Sequence, residues 1–380
     1  MAELDGERDR GRPAVRRRTS DRRRPGARTA AGRASLAVLL LFLVSPLLFS
    51  ACGGDGRTPL VVYSPHGREL LSHFEQRFEA SHPGVDVQWV DMGSQEVLDR
   101  VRSERANPQA DVWWGAPSGM FDRAADAGLL AAFRPSWWDA IPPAARDSAG
   151  RWVGTYRTPE VIAYNSDSLS ASDAPRTWDD LLAPRWRDEV LVRDPLASGT
   201  MRAIFGAIMW REYQETGDPE AGYEWLLRLD AQTSEYVLNP TLLYQKLARQ
   251  EGLVAPWNMP DIETLRATSE LPVDYVLPED GTPVVIDGIA VVAGAGQPDE
   301  ARAFVEWAGS RGQILEAARE FFRIPARTDL PADSLPDWLR EAMPRIRAME
   351  IDRGYVQDHT PEWLRHWDRQ IRGQGREKGY

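Results

Sequence analysis

The segment Asp194-Pro195-Leu196-Ala197-Ser198-Gly199-Thr200 gathers more usable chemistry than any other stretch of this sequence. It follows the apolar run Val190-Leu191-Val192 and opens an amphipathic stretch, so it reads as a turn from a strand into a helix. Ser198 and Thr200 supply hydroxyls, and Gly199 permits close backbone approach. The free N–H groups of the helix start add partial positive charge, so the segment suits an oxyanion. It lacks the Gly-Lys-Ser/Thr ending of a nucleotide-binding loop. The plain alternative is an ordinary well-capped helix.

Other strand-to-helix turns carry weaker versions of the same signal. Ser64 and His66 follow Leu60-Val61-Val62-Tyr63, and either bind a ligand at the sheet's open edge or only shape a proline-containing turn. Trp113 and Trp114 fall on opposite faces of a strand, so one is expected in the core and Trp114 toward a cleft, with Ser118 at the next helix start. Tyr156 lies in an extended stretch, and Trp257-Asn258 puts an aromatic and an amide just past the strand at Leu253. Asp287 interrupts the apolar run Val284 to Val292, so it needs a buried partner or a ligand.

Signals for catalysis are weak. The five histidines, His66, His73, His82, His359 and His366, form no metal-binding spacing. Neither a Gly-x-Ser-x-Gly elbow nor a glycine-rich dinucleotide turn is present. We therefore expect a binding protein, with no enzyme activity, cofactor or metal. A secreted enzyme using the same cleft is the different-class alternative, and a ligand sensor for a membrane partner is another.

These turns must be held by alternating strands and helices. Leu70, Leu71, Phe74 and Phe78 recur on one helical face, closed by His82-Pro83-Gly84. Strands follow at 85–90 and 111–114, with helices at 94–104 and 117–130. A second lobe repeats the pattern, with strands at 189–193 and 253–255 and helices at 198–210, 220–229, 241–249 and 260–267. Residues 152–165 and 283–293 read as two extended crossings between the lobes. The expected fold class is α/β, each lobe a mostly parallel sheet flanked by helices. Residues 59–158 begin lobe 1, 159–282 form lobe 2, 283–335 return to lobe 1, and helices in 336–380 are expected to pack on lobe 1. Two lobes on two crossings make a hinge around a cleft.

The first 51 residues stand apart. They hold eleven arginines and five acids, and residues 34–54 carry no charge. A basic start, a short apolar core and small residues are the marks of an export signal. The apolar part, Leu36 to Phe49, is short for a bilayer span. Beyond it remain 35 basic and 52 acidic residues, a net of −17 against −11 for the whole chain. That acidity argues against nucleic acid as a partner. Cys52, the chain's single cysteine, directly follows Phe49-Ser50-Ala51. This resembles the bacterial lipobox and implies lipid attachment at Cys52. Residues 52–58 would then be anchor and linker, and the body would lie on the outer face of the cytoplasmic membrane.

Taken together, the chain resembles the substrate-binding proteins of bacterial ABC importers. It is most similar to the branch that includes ferric-iron binders and binders of phosphorylated sugars and phosphonates. The likeness rests on Val61-Val62-Tyr63-Ser64, Ala110-Asp111-Val112-Trp113-Trp114, Ala163-Tyr164-Asn165-Ser166, Asp194 to Thr200, Asp287-Gly288-Ile289-Ala290 and Arg323-Ile324-Pro325-Ala326-Arg327. It implies a two-lobe type II periplasmic-binding-protein fold, closing as a monomer on one small solute for delivery to an ABC permease. Iron binders of this type use adjacent tyrosines where this chain has Pro256-Trp257-Asn258-Met259, and often a glutamate where it has Gly115-Ala116-Pro117. The resemblance therefore implies an oxyanion-bearing organic solute ahead of iron, because Fe³⁺ favours hard oxygen donors.

Overall fold

A computed structural model describes residues 56–376; Cys52 and the export segment lie outside the described residues. Lobe 1 opens with β1 (Thr58–Ser64), α1 (Arg68–Ser81), β2 (Val85–Asp91), α2 (Ser94–Ser103), β3 (Val112–Pro117), α3 (Ser118–Asp126) and the short β4 (Leu130–Ala131). β1 pairs in parallel with β2 and β3. Leu70, Leu71, Phe74 and Phe78 of α1 are all buried, as their spacing predicts.

The long β5 (Val153–Asn165) then leaves lobe 1. Lobe 2 contains β6 (Val190–Arg193), α4 (Gly199–Thr216), α5 (Glu220–Gln232), β7 (Thr233–Val237), α6 (Pro240–Ala248), β8 (Val254–Asn258), α7 (Met259–Thr268) and β9 (Val273–Val276). The chain returns through β10 (Val284–Val292), α8 (Pro298–Ala308), α9 (Arg311–Glu320) and β11 (Ile324–Pro325). It finishes with α10 (Asp337–Ala342) and α11 (Arg353–His366), which runs into a π-turn at Trp367–Ile371.

The strands form one sheet in the order β2-β1-β3-β10-β5-β8-β6-β7. β5 makes this possible: its first half pairs with β10 and β11, its second half with β8 and β9. It is the first crossing. The return crossing is shorter than the apolar run suggests, because β10 pairs only with lobe 1 strands and the first half of β5. The crossing itself is Thr282-Pro283, held where Glu160 N donates to Pro283 O at 2.9 Å and Thr282 Oγ1 donates to Glu160 O.

Lobe 1 has one continuous apolar core, in which Phe74, Phe78, Trp113, Trp114, Phe121 and Phe304 are fully packed. The lobe 2 sheet is covered by one cluster around Phe205, Leu226 and Trp178 and another around Leu243, Leu247 and Ile262. The C-terminal tail departs from expectation. Trp363, Leu364, Trp367 and Ile371 join the first of these lobe 2 clusters, so α11 packs mainly on lobe 2, and it reaches lobe 1 through Gln357 against Gly119 and Arg353 donating to Ala144 O. The physical reason is α4: Gly206 leaves a notch where an added Cβ would lie 2.8 Å from Val356 Cγ1, so the two helices approach closely. α10 ends at Ala342. A short 3₁₀ turn at Met343–Arg345 follows, and Met343 is 40% exposed. α4 runs past Trp210 to Gly217, whose left-handed conformation (φ 73°) ends it with a bond from its N–H to Tyr213 O.

Candidate functional site

The ends of β1 and β3 meet in a tight, strained corner. Ser64 is fully buried, and its Oγ accepts from His66 N at 3.2 Å. The His66 ring stands edge-on to Trp114 (centroids 5.2 Å) and Tyr156 (5.6 Å). Beneath it Gly115 has φ 94°, and a Cβ there would sit 2.8 Å from His66 Nε2. Ala116 follows with φ 96°, a conformation that costs a non-glycine residue about 1–3 kcal/mol. Trp113 faces the other way and stacks on Phe121 at 4.3 Å, as strand alternation requires. Burial, and then the charge of Arg323, push His66 well below the usual histidine range, so its ring is neutral and keeps one donor and one acceptor.

The hinge strands add the acids. Asp287 lies opposite Tyr156 on β5 and Pro117 on β3, and both pairings shift register immediately after it. Such a bulge re-aims a side chain. The Asp287 carboxylate accepts from Thr158 Oγ1 at 2.5 Å, and its backbone carbonyl accepts from Thr155 Oγ1 at 3.2 Å. Burial raises the Asp287 pKa to about 6, despite the opposing pull of Thr158 and Arg323. Glu160, two residues beyond Thr158, is pushed well above the usual carboxylate range by burial and by Asp287 and Asp261.

Lobe 2 supplies a fixed polar frame around Asp261. Its Oδ2 accepts from Asn258 Nδ2 (2.9 Å), Tyr244 OH (3.0 Å) and Trp257 Nε1 (3.2 Å), and Arg323 Nη2 reaches Oδ1 at 3.3 Å. Asn258 also caps α7 by accepting from Asp261 N. Trp257 and Asn258 are thus occupied in holding Asp261.

Three helix starts converge beside this frame. An added Cβ at Gly199 would lie 2.8 Å from Pro117 Cδ and 2.9 Å from Ser94 Oγ, so the beginnings of α2, α3 and α4 touch across the two lobes. Ser118 is buried at the first residue of α3, and Thr200 is half-buried at the second residue of α4. The Ser198 hydroxyl caps α4 by accepting from Met201 N at 3.2 Å. Asp194 is spent on structure: one oxygen accepts from Leu196 N at 2.8 Å and the other pairs with Arg372 at 3.0 Å.

Among the described residues, His66 Nε2, Trp114 Nε1, Tyr156 OH, Glu160 Oε2 and Arg323 Nε are buried without a partner in the protein. A buried polar group left unpaired costs about 1–3 kcal/mol, so five of them gathered here make this corner the candidate binding site. The sequence singled out His66, Trp114, Tyr156 and Asp287, and the structure brings these four together. Sequence reasoning missed Glu160 and Asp261 altogether, and singled out Arg323 only as part of a family likeness. The available signal for Glu160 was a single acid between Pro159 and Val161 in an otherwise apolar crossing.

A hinged pair of α/β lobes with buried, unpaired polar groups at the crossings defines a ligand-binding protein of the two-lobe periplasmic class. Residues 107–347 match the family described as bacterial extracellular solute-binding protein, and the chain belongs to that family. It is 28% identical over 319 residues to a probable ABC transporter periplasmic-binding protein of Sinorhizobium fredii, covering 83% of this chain and 87% of the relative. It is 25% identical over 284 residues to an Fe(3+)-binding periplasmic protein of Serratia marcescens, covering 73% and 82%. The periplasmic binding protein AfuA of Actinobacillus pleuropneumoniae, solved with fructose-6-phosphate, shares the fold with a TM-score of 0.71 and 24% identity, covering 84% of this chain and 99% of its own. Its relatives are solute-binding components of ABC importers and not enzymes.

Proposed function

We propose that the protein captures a small organic oxyanion, phosphorylated or carboxylated, by closing its lobes over the hinge cluster, and hands it to an ABC permease. The observation that carries this reading is the set of unpaired buried groups on His66, Trp114, Tyr156, Glu160 and Arg323. They divide the work by charge. Arg323 and the N–H groups at the starts of α3 and α4 suit the oxyanion, and Ser118, Gly199 and Thr200 line that approach. Neutral His66, Glu160 with its raised pKa, and Asp287 suit the hydroxyls or amine of the solute body.

Relatives point to both sugar phosphate and ferric iron. The donor set favours the former: among the described residues no three His, Cys, Asp or Glu side chains group as a metal shell, and Asp261 is already saturated by Asn258, Tyr244, Trp257 and Arg323. Lipid attachment through Cys52 and action as a monomer belong to the same proposal. Isothermal titration of the full chain in mild detergent with sugar phosphates, phosphonates and ferric citrate tests it. Binding of a phosphorylated or carboxylated solute, weakened at least tenfold by Arg323→Ala, is expected. Tight binding of ferric ion with none of the organic anions would overturn it.

A further inference from the structure

The chain crosses between the lobes a third time, in its C-terminal segment. α10 starts on lobe 1, where Trp338 Nε1 donates to Ala318 O of α9 at 2.8 Å and the Trp338 ring meets Phe322 at 5.3 Å. Leu339 and Ala342 of α10 share an apolar cluster with Ala318 and Ile324 of lobe 1, Val161 of β5 and Met259 of lobe 2. α10 therefore sits on the hinge itself.

Past α10 the chain runs beside the return crossing. Thr282 N donates to Arg347 O at 2.7 Å and Met349 N donates to Thr282 O at 2.9 Å, so residues 347–349 pair in parallel with Thr282. Gly281, with φ 101°, allows the close approach: an added Cβ would lie 3.2 Å from Met349 Cγ. Arg347 Nη1 also donates to Glu279 O at 2.9 Å, and Glu350 O accepts from Trp210 Nε1 at 3.1 Å. Both bonds tie the segment to lobe 2.

The anchoring is unequal. On lobe 2, α11 buries Trp363, Leu364, Trp367 and Ile371, and beyond it Gly373 N and Gly375 N donate to the Asp230 carboxylate at 2.9 and 2.8 Å. On lobe 1, α11 holds through Arg353, which donates to Ala144 O, and through Gln357, set against Gly119. Exposing four buried side chains costs far more than breaking one exposed hydrogen bond. When the lobes part, α11 stays with lobe 2 and releases lobe 1. Gly119 is the second residue of α3, beside the point where the starts of α2, α3 and α4 touch. The lobe 1 contacts of α11 therefore exist only while those helix starts stay together.

We propose that residues 336–376 form a strap across the hinge that biases the solute-free protein toward the arrangement in which these helix starts meet. The contacts of Arg353 and Gln357 act as its latch, and the pairing at Thr282 limits how far the two crossings twist apart. A solute then meets a site that is partly assembled before it binds.

The test measures the distance between the lobes with no solute added, so its outcome is independent of what the hinge cluster binds. Spin labels go on Glu96→Cys, in the first turn of α2, and Leu238→Cys, just past β7; both positions are exposed, one on each lobe. The full chain is used in mild detergent, with Cys52→Ser to remove the native thiol, and the distances are read by double electron–electron resonance. Met349→Pro deletes the N–H that bonds Thr282, whereas Met349→Ala keeps it. Arg353→Ala opens the latch at an exposed side chain, so folding is spared. Arg376→Ala removes a tail contact made within lobe 2, to Asp188. The expected result is one narrow distribution in the parent, Met349→Ala and Arg376→Ala. In Met349→Pro and Arg353→Ala it should be at least twice as wide and shifted to longer distances. A parent distribution already as wide as that, or one unchanged in both strap variants, would overturn the proposal. So would equal broadening in Arg376→Ala or Met349→Ala.

Discussion

Trp114 touches two regions built on different principles. Toward lobe 1 it meets Phe74 (5.3 Å) and Phe304 (5.7 Å) edge to face, in a core where Phe74 and Phe78 are wholly buried and every neighbour is apolar or aromatic. Toward the hinge it meets His66 and Tyr156, and there buried donors and acceptors stand unpaired. Around Phe74 packing is the whole account, whereas on the proposed reading the hinge cluster holds groups at a cost that a ligand repays. Stability and function thus sit a few ångströms apart and respond to substitution in opposite directions.

The largest effect should come from the core side. Phe74→Ala removes a fully buried ring and should cost about 3–5 kcal/mol in urea unfolding. Solute affinity of the folded fraction should change little. A comparable loss of affinity at temperatures where the variant is folded would erase the distinction between the regions.

Asp287→Asn should do the reverse. The folded pKa of Asp287 is raised to about 6, above its unfolded value. The folded state therefore binds the proton more tightly, and its stability falls as pH rises from about 4 to about 6. The asparagine can still accept from Thr158 but never ionises. It should be more stable than the parent at pH 7 by about 1–3 kcal/mol, with the gain vanishing near pH 4. Solute binding should weaken at the same time. Thermal unfolding across that pH range checks the first statement and titration with solute the second; a pH-independent difference would remove the ionisation argument.

How much of this contrast could be read from the chain alone depends on distance in sequence. The α1 stripe was legible because its four residues repeat within nine positions and obey helical spacing. Asp287 was legible because one acid in an apolar strand demands an explanation. Asp261 and Arg323 were not, because they meet across 62 residues, one on α7 in lobe 2 and the other in the loop just before β11 in lobe 1. β7 and β9 escaped notice as well. Ser234 and Glu235 lie in β7 and Asp274 in β9, so neither strand shows an apolar run. The tail's docking on lobe 2 depends on Gly206, whose meaning appears only once α11 lies against it. Asp194 and Ser198 carried the strongest local signal, and their side chains are engaged in turn and capping bonds, since capping and ligand binding draw on the same residue types.

Two smaller effects sharpen that last point. Asp194→Ala removes the bond from Leu196 N and the pair with Arg372, and should cost about 1–2 kcal/mol of stability in urea titration, with solute affinity within threefold. Ser198→Ala deletes the α4 cap and should cost about 1 kcal/mol. If either lost more than tenfold in affinity at unchanged stability, the oxyanion turn would belong to the ligand and not to the scaffold.

The central claim is capture of an organic oxyanion at the hinge, and native mass spectrometry tests it most directly. The full chain would be released from detergent micelles after incubation with a bacterial metabolite extract, beside Arg323→Ala. The account predicts one added mass, matching a phosphorylated or carboxylated metabolite, in the parent and not in the variant. A parent protein that carries iron instead, or stays at its bare mass, would contradict it.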